Sequence, residues 1–200
     1  MNKRDKIIIS ISFIWLFSCV FLIKSDQSWL MLFDKSILEF IRHNVRLTNF
    51  HKFITIFGNT NTYFYIFIPV GILMYLNKRG KTFLYILSAI LISTAVVIIV
   101  KNFVGRVRPV EYFVISQGGY SFPSGHSLVS SATYWTIYRI INFKKKILNW
   151  FFIVFPLLIA FSRLALGVHW PTDVLTGLLI GYSISAIVTC KYEKDGINVL

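Results

Sequence analysis

Three short stretches of this chain hold residues whose types and spacing suit chemistry better than packing. The first is Lys101-Asn102-Phe103-Val104-Gly105-Arg106-Val107-Arg108-Pro109 and the second is Phe122-Pro123-Ser124-Gly125-His126. The third opens with Ser162-Arg163 and, five residues later, closes with His169-Trp170-Pro171-Thr172-Asp173. Lys101, Arg108 and Arg163 lie at the ends of apolar runs, where a buried cation is costly unless an anion compensates it, and a planar guanidinium fork matches phosphate oxygens. The carboxylates nearby in sequence are Glu111 and Asp173, so the fixed charge is positive and calls for an anionic ligand. Pro123 and Pro171 each precede an apolar run, as proline does at a helix start. Ser124-Gly125-His126 and Thr172-Asp173 are therefore expected in the opening turns of two helices, whose free N–H groups attract phosphate, with Gly125 leaving room for an oxyanion.

Two histidines supply a reaction at such a phosphate. Asp173 follows His169 by four residues across a helix start, close enough to hold one ring nitrogen and leave the other as a nucleophile. His126 is the other side chain of the three stretches that ordinarily titrates near neutrality, which suits it to protonate a departing oxygen. Taken singly, each residue has a plainer reading: a histidine at a helix start is often a cap, and a terminal lysine or arginine is often an interfacial anchor. Their joint occurrence on one side of the chain's topology is what favours chemistry. No metal or cofactor is expected, because two histidines and one aspartate at these spacings match no zinc pattern and the surrounding cations would repel a metal.

The elements that must position these residues follow from composition. The chain of 200 residues is 56% hydrophobic and 14% charged, whereas soluble domains are about 45–50% apolar and about 25% charged. With a mean hydropathy of +0.66, it belongs in a bilayer. The net charge of +13 does not point to nucleic acid, because most of it sits in short breaks between apolar runs, as the positive-inside effect requires. Those runs fall at roughly 7–23, 61–76, 82–100, 127–141, 147–162 and 174–190. They predict an all-α, six-helix transmembrane bundle in a single domain, 1–200, with the first run an uncleaved helix. The fourth run is the most polar, with Ser127, Ser130, Ser131 and Thr133, small residues of the kind that let helices approach closely.

An even number of spans puts both termini on one side. Placing them inside assigns Lys3, Arg4, Lys6, Lys78, Arg79, Lys81, Arg139, Lys144, Lys145, Lys146, Lys191 and Lys194 to short inner segments, and this is the orientation expected. All three chemical stretches then face out, and Cys19 and Cys190 sit on opposite sides, so no disulfide is expected. Between the first two runs, Leu30, Phe33, Ile37 and Ile41 recur at helical steps, with Asp34, Lys35, Glu39 and Arg42 elsewhere on the turn. This predicts an amphipathic interfacial helix, either a gate for lipid or packing over the bundle ends. His43 and His51 in the same segment read as solvated or packed. Gly177 and Gly181 read as a close helix contact, inside the bundle or at a dimer seam.

The three stretches are similar to the tripartite signature of the type 2 phosphatidic acid phosphatase superfamily, K-x6-R-P, P-S-G-H and S-R-x5-H-x3-D, without a substitution. The resemblance implies a phosphohistidine-forming nucleophile at His169, an orienting partner at Asp173 and an acid at His126. It also implies phosphoryl contacts from Lys101, Arg108, Ser124, Gly125 and Arg163, without metal. Arg106 lies outside the signature and reads as a head-group contact or an interfacial anchor. Six apolar runs resemble the lipid phosphatase branch rather than its soluble relatives. Within it, the chain resembles bacterial phosphatidylglycerophosphate phosphatases of the B type and undecaprenyl-diphosphate phosphatases, although one group of the latter tends to carry aspartate at the position of Gly125. The expected activity is hydrolysis of phosphatidylglycerol phosphate, phosphatidic acid or undecaprenyl diphosphate. The alternatives are a lipid phosphotransferase of the same fold and a transporter that binds a lipid head group without hydrolysing it. Oligomeric state and the choice of lipid stay open.

Overall fold

The computed structural model of the chain describes residues 1–141 and 143–196. Among them are eight α-helices and no strand: α1 (Lys3–Lys24), α2 (Ser28–Asn44), α3 (Thr48–Ile56), α4 (Thr60–Leu76), α5 (Gly80–Val104), α6 (Gly125–Ile141), α7 (Lys146–Ala165) and α8 (Pro171–Lys194). Each of the six apolar runs lies within a helix. Four helices, α1, α5, α7 and α8, are long and apolar enough to cross a membrane. Their outward side chains include Ile14, Phe17, Phe21, Leu91, Ile99 and Trp150, all more than half exposed. Such a surface would drive aggregation in water and is at home in lipid.

The helix with the most polar sequence is the most enclosed. α6 packs against α5, α7 and α8, and Ser127, Ser130, Ser131, Thr133 and Thr136 are all fully buried. Most of these hydroxyls find a partner in the preceding helical turn: Ser131 Oγ donates to the Ser127 carbonyl at 2.7 Å and Thr136 Oγ1 to that of Ala132 at 2.6 Å. Small side chains let α8 come close. A methyl group on Gly181 would stand 1.8 Å from Ser131 Oγ, and one on Gly177 would stand 2.8 Å from the Ser124 carbonyl. The glycine pair thus serves the interior of the bundle.

The segment between α1 and α4 departs from the expected pattern. α2 forms over the anticipated residues, but the face it buries is Leu30, Asp34 and Leu38, while Phe33 is half exposed and Phe40 more so. The helix is turned because Asp34, fully buried, meets a cation inside the protein, and Arg42 Nη1 donates to the Ala165 carbonyl at 2.8 Å. His43 is exposed. His51 is buried between the rings of Phe50 and Phe161.

Candidate active site

The end of α5 sets out the first group of cations. Gly105 adopts a left-handed conformation (φ +69°) and its N–H returns to the Lys101 carbonyl at 2.9 Å, closing the helix one turn after Lys101. The chain beyond it carries Arg106 and Arg108 beneath the loop 117–121. Lys101 Nζ donates to the carbonyls of Tyr120 and Ser121. Arg108 Nε donates to Gly119 at 2.8 Å, Nη2 to Tyr120 at 3.1 Å and Nη1 to Val168 at 2.6 Å. Nη1 also stands 3.1 Å from His169 Nε2.

The end of α7 sets out the rest. Val168 N–H bonds the Arg163 carbonyl at 3.1 Å and Gly167 N–H bonds that of Leu164 at 2.9 Å. This is the pair of bonds of a Schellman cap, and it explains the five-residue spacing between Arg163 and His169: the cap reverses the chain and brings the imidazole back beside the guanidinium. Arg163 is 1% exposed. Its Nη1 donates to Thr55 Oγ1 at 2.5 Å and Nη2 to Gln117 Oε1 at 2.8 Å, while Nε is buried without a partner among the described residues. Gly167 has a φ of +67°, and a methyl group on it would lie 1.9 Å from the Tyr112 carbonyl oxygen. Gly167→Ala therefore combines left-handed strain of about 1–2 kcal/mol with a backbone collision. A fall in melting temperature together with loss of activity is expected, measured by thermal unfolding in detergent; an unchanged midpoint would show that the cap yields without cost.

α8 begins with Trp170 as its N-cap and Pro171 as its first residue. Asp173, fully buried, accepts from Trp170 N–H at 3.0 Å through Oδ2, and the same oxygen lies 3.4 Å from His169 Nδ1. A guanidinium can only donate, so its approach to Nε2 places the lone pair there and the ring proton on Nδ1, facing Asp173. Burial, reinforced by the Arg108, Arg163 and Lys101 charges, holds His169 well below the ordinary imidazole range. A neutral ring with its free nitrogen turned toward a cation is the state a nucleophile requires.

The second stretch completes the cluster. Ser124 is fully buried, its N–H bonds the Asp173 carbonyl oxygen at 3.0 Å, and its Oγ accepts from Ser127 Oγ at 2.9 Å. Gly125 opens α6, and a methyl group on it would meet Val97 Cγ1 at 3.3 Å. His126, in the same turn, has the Arg163, Arg108 and Lys101 cations and the His169 ring as neighbours. The residues expected to do chemistry thus converge where two helices start and two end.

Three parts of the site were not anticipated. Arg106 is neither a head-group contact nor a surface anchor: it is 6% exposed, and Nη1 bonds Asp173 Oδ1 at 2.7 Å while Nη2 bonds Asp34 Oδ2 at 2.6 Å. Asp34 is accordingly a further carboxylate of the cluster, whereas Glu111 is exposed and makes no ion pair among the described residues. Gly58 lets the turn between α3 and α4 lie against His126, since a methyl group there would stand 2.8 Å from the ring's Cδ2. Gly58 is the first glycine of the chain and precedes the helix-capping Asn59, a turn signal that pointed to a chain reversal but not to its neighbour.

The family model described as "PAP2 superfamily" matches residues 82–197. An undecaprenyl-diphosphatase of Sulfolobus acidocaldarius is 28% identical over 82% of this chain and 80% of its own length. A phosphatidylglycerophosphatase B of Bacillus subtilis is 32% identical over 48% of this chain and 51% of its own length, so the chain spans about half of that relative. The crystal structure of a transmembrane PAP2-type phosphatidylglycerolphosphate phosphatase from Bacillus subtilis superposes with a TM-score of 0.80 over 94% of this chain and 97% of the other, at 22% identity.

Proposed function

The chain belongs to the PAP2 superfamily, a multi-pass membrane protein and a phosphoric monoester hydrolase, and we propose that it removes a phosphate from a membrane lipid through a phosphohistidine on His169. The observation that carries this reading is the 3.1 Å approach of Arg108 Nη1 to His169 Nε2. A phosphate drawn onto that guanidinium arrives beside the lone pair of a neutral, buried imidazole.

In this mechanism Lys101, Arg108 and Arg163 bind the phosphoryl oxygens together with the N-terminal turns of α6 and α8, where Ser124 and Gly125 lie. Nε2 of His169 attacks phosphorus, the P–N bond forms, and the P–O bond to the lipid breaks in line with it. His126 gives its proton to the departing oxygen, then takes one from the water that attacks the phosphohistidine and releases inorganic phosphate. Asp173 accepts the Nδ1–H bond throughout and stabilises the positive charge that develops on the ring.

The substrate class is a lipid mono- or diphosphate such as phosphatidylglycerol phosphate, phosphatidic acid or undecaprenyl diphosphate. The named activities of the relatives support lipid phosphates, and the apolar outer surface of the helices supports entry from the bilayer. Six of the helices cross the membrane in this reading, α2 and α3 lie at the outer interface, both termini are cytoplasmic and the site faces out. The division of basic residues between short and long loops supports that orientation.

Purified protein in detergent is expected to release phosphate from at least one of the three lipids and to keep that activity in EDTA, because lysine and arginine side chains, not metal ligands, gather the charge of the phosphate. Phosphate release that is lost in EDTA and restored by a divalent ion would overturn the metal-free step. Failure on all three lipids would overturn the substrate class.

A further inference from the structure

We infer that Asp34 and Arg106 are positioning residues for the reaction at His169: together they hold the Asp173 carboxylate, and the first turn of α8 that carries it, where it orients the imidazole. The inference rests on the reading of His169 as the nucleophile.

The contacts form a continuous chain. Asp173 divides its two oxygens, with Oδ1 on Arg106 Nη1 at 2.7 Å and Oδ2 on Trp170 N–H and 3.4 Å from His169 Nδ1. Pinning Oδ1 stops the carboxylate from rotating and reserves Oδ2 for the ring. Arg106 is itself fixed from the far side by Asp34 Oδ2 at 2.6 Å, and its guanidinium lies 5.5 Å from the centre of the Trp170 ring. Asp34 also caps α8 directly: Oδ1 accepts from Thr172 N–H at 2.9 Å and Oδ2 from Thr172 Oγ1 at 2.6 Å. A carboxylate at a helix N-terminus satisfies a donor that has no partner within the helix and complements the dipole. One side chain from α2, distant in sequence, therefore fixes both the cation behind the catalytic carboxylate and the helix end that bears it.

Charge and burial argue that this arrangement serves position more than stability. The side chains of Asp34 and Asp173 are fully buried and that of Arg106 is 4% exposed. Burial alone would lower the Arg106 guanidinium, and the Asp173 and Asp34 charges more than offset it, so the arginine is held charged. Buried ion pairs of this kind seldom add stability over apolar groups of equal volume, but they define one geometry. Arg106 also has Nη1 and Nη2 engaged by carboxylates and Thr172 Oγ1, which sets it apart from Arg108, whose Nη1 meets the nucleophile.

The test compares the wild type with Asp34→Asn, an isostere that keeps an acceptor for Thr172 N–H but removes the charge, and with the uncharged pair Asp34→Asn/Arg106→Gln. Turnover of a lipid phosphate, inhibition by inorganic phosphate and thermal midpoint are measured for each, with His169→Ala alongside. For a positioning role, kcat of Asp34→Asn falls about 10–100-fold, the scale seen when an outer partner that orients a metal-bound histidine is removed, while KM and the phosphate inhibition constant stay unchanged. The double variant, which also leaves Asp173 Oδ1 without its arginine, loses more midpoint and more kcat than Asp34→Asn, with KM still unchanged in the folded protein. Wild-type kcat in Asp34→Asn overturns the inference, as does a loss of kcat that disappears when the variant is assayed well below its thermal midpoint, since either leaves only a role in folding. Loss of phosphate binding in proportion to kcat also overturns it. Turnover by His169→Ala would instead place the failure in the nucleophile.

Discussion

His169→Ala is expected to abolish hydrolysis of every phosphate ester, whatever the leaving group, with a loss on the order of 10⁶-fold in kcat, the scale of nucleophile removal in a well-organised hydrolase. The expectation follows from the tautomer argument. Arg108 can only donate, so Nε2 is the free nitrogen, and no other side chain offers a lone pair at the same point among the contacts of Arg108, which are otherwise carbonyl oxygens. Inorganic phosphate should still bind this variant, because Lys101, Arg108 and Arg163 and the two helix starts are untouched. Steady-state rates on lipid and aryl phosphates, with phosphate binding measured by isothermal titration, check both halves. Residual turnover within a hundredfold of the wild type would remove His169 from the chemistry.

His126→Ala should separate substrates by their leaving groups. General acid catalysis is worth typically about 10²–10⁴-fold, and only where the departing oxygen is too basic to leave unprotonated. A lipid alkoxide is such a group and p-nitrophenolate is not. The variant should therefore lose most activity on phosphatidic acid while keeping a substantial share of the phosphoryl transfer from p-nitrophenyl phosphate, with a lipid diphosphate between the two. Comparison at saturation removes ground-state contacts, since the ring lies among the cations proposed to receive phosphate. Equal loss of kcat on aryl and lipid esters would make His126 a phosphate ligand or a structural group.

What could be read without the structure divides along physical lines. The cations, the two histidines and Asp173 were legible because each lies within a few residues of a helix end that proline, glycine or a change of hydropathy marks. Spacing could be converted to geometry for His169 and Asp173, four residues apart across a helix start, whereas the Schellman cap that separates Arg163 from His169 by five residues came from the structure. The Asp34–Arg106 contact was not legible. It joins residues far apart in the chain, and Asp34 sits on a helix whose Phe33 reads as part of the buried face yet is half exposed. Amphipathic periodicity assumes that water covers the polar side, and in a helix flanked by lipid and protein that assumption fails. α6 shows the same inversion: hydropathy made it the weakest of the six runs, yet its serines and threonines are buried because helix α8 replaces lipid around it.

A phosphohistidine on His169 is tested by trapping the enzyme during turnover of a lipid phosphate carrying radiolabelled phosphorus, quenching in alkaline detergent and locating the label by peptide mapping. The expected label is stable to base and lost in mild acid, as for a phosphoramidate, attached to His169, absent from His169→Ala and formed in His126→Ala from p-nitrophenyl phosphate. A label on any other residue, or turnover through the wild type with none on His169 at any time before the steady state, would contradict it.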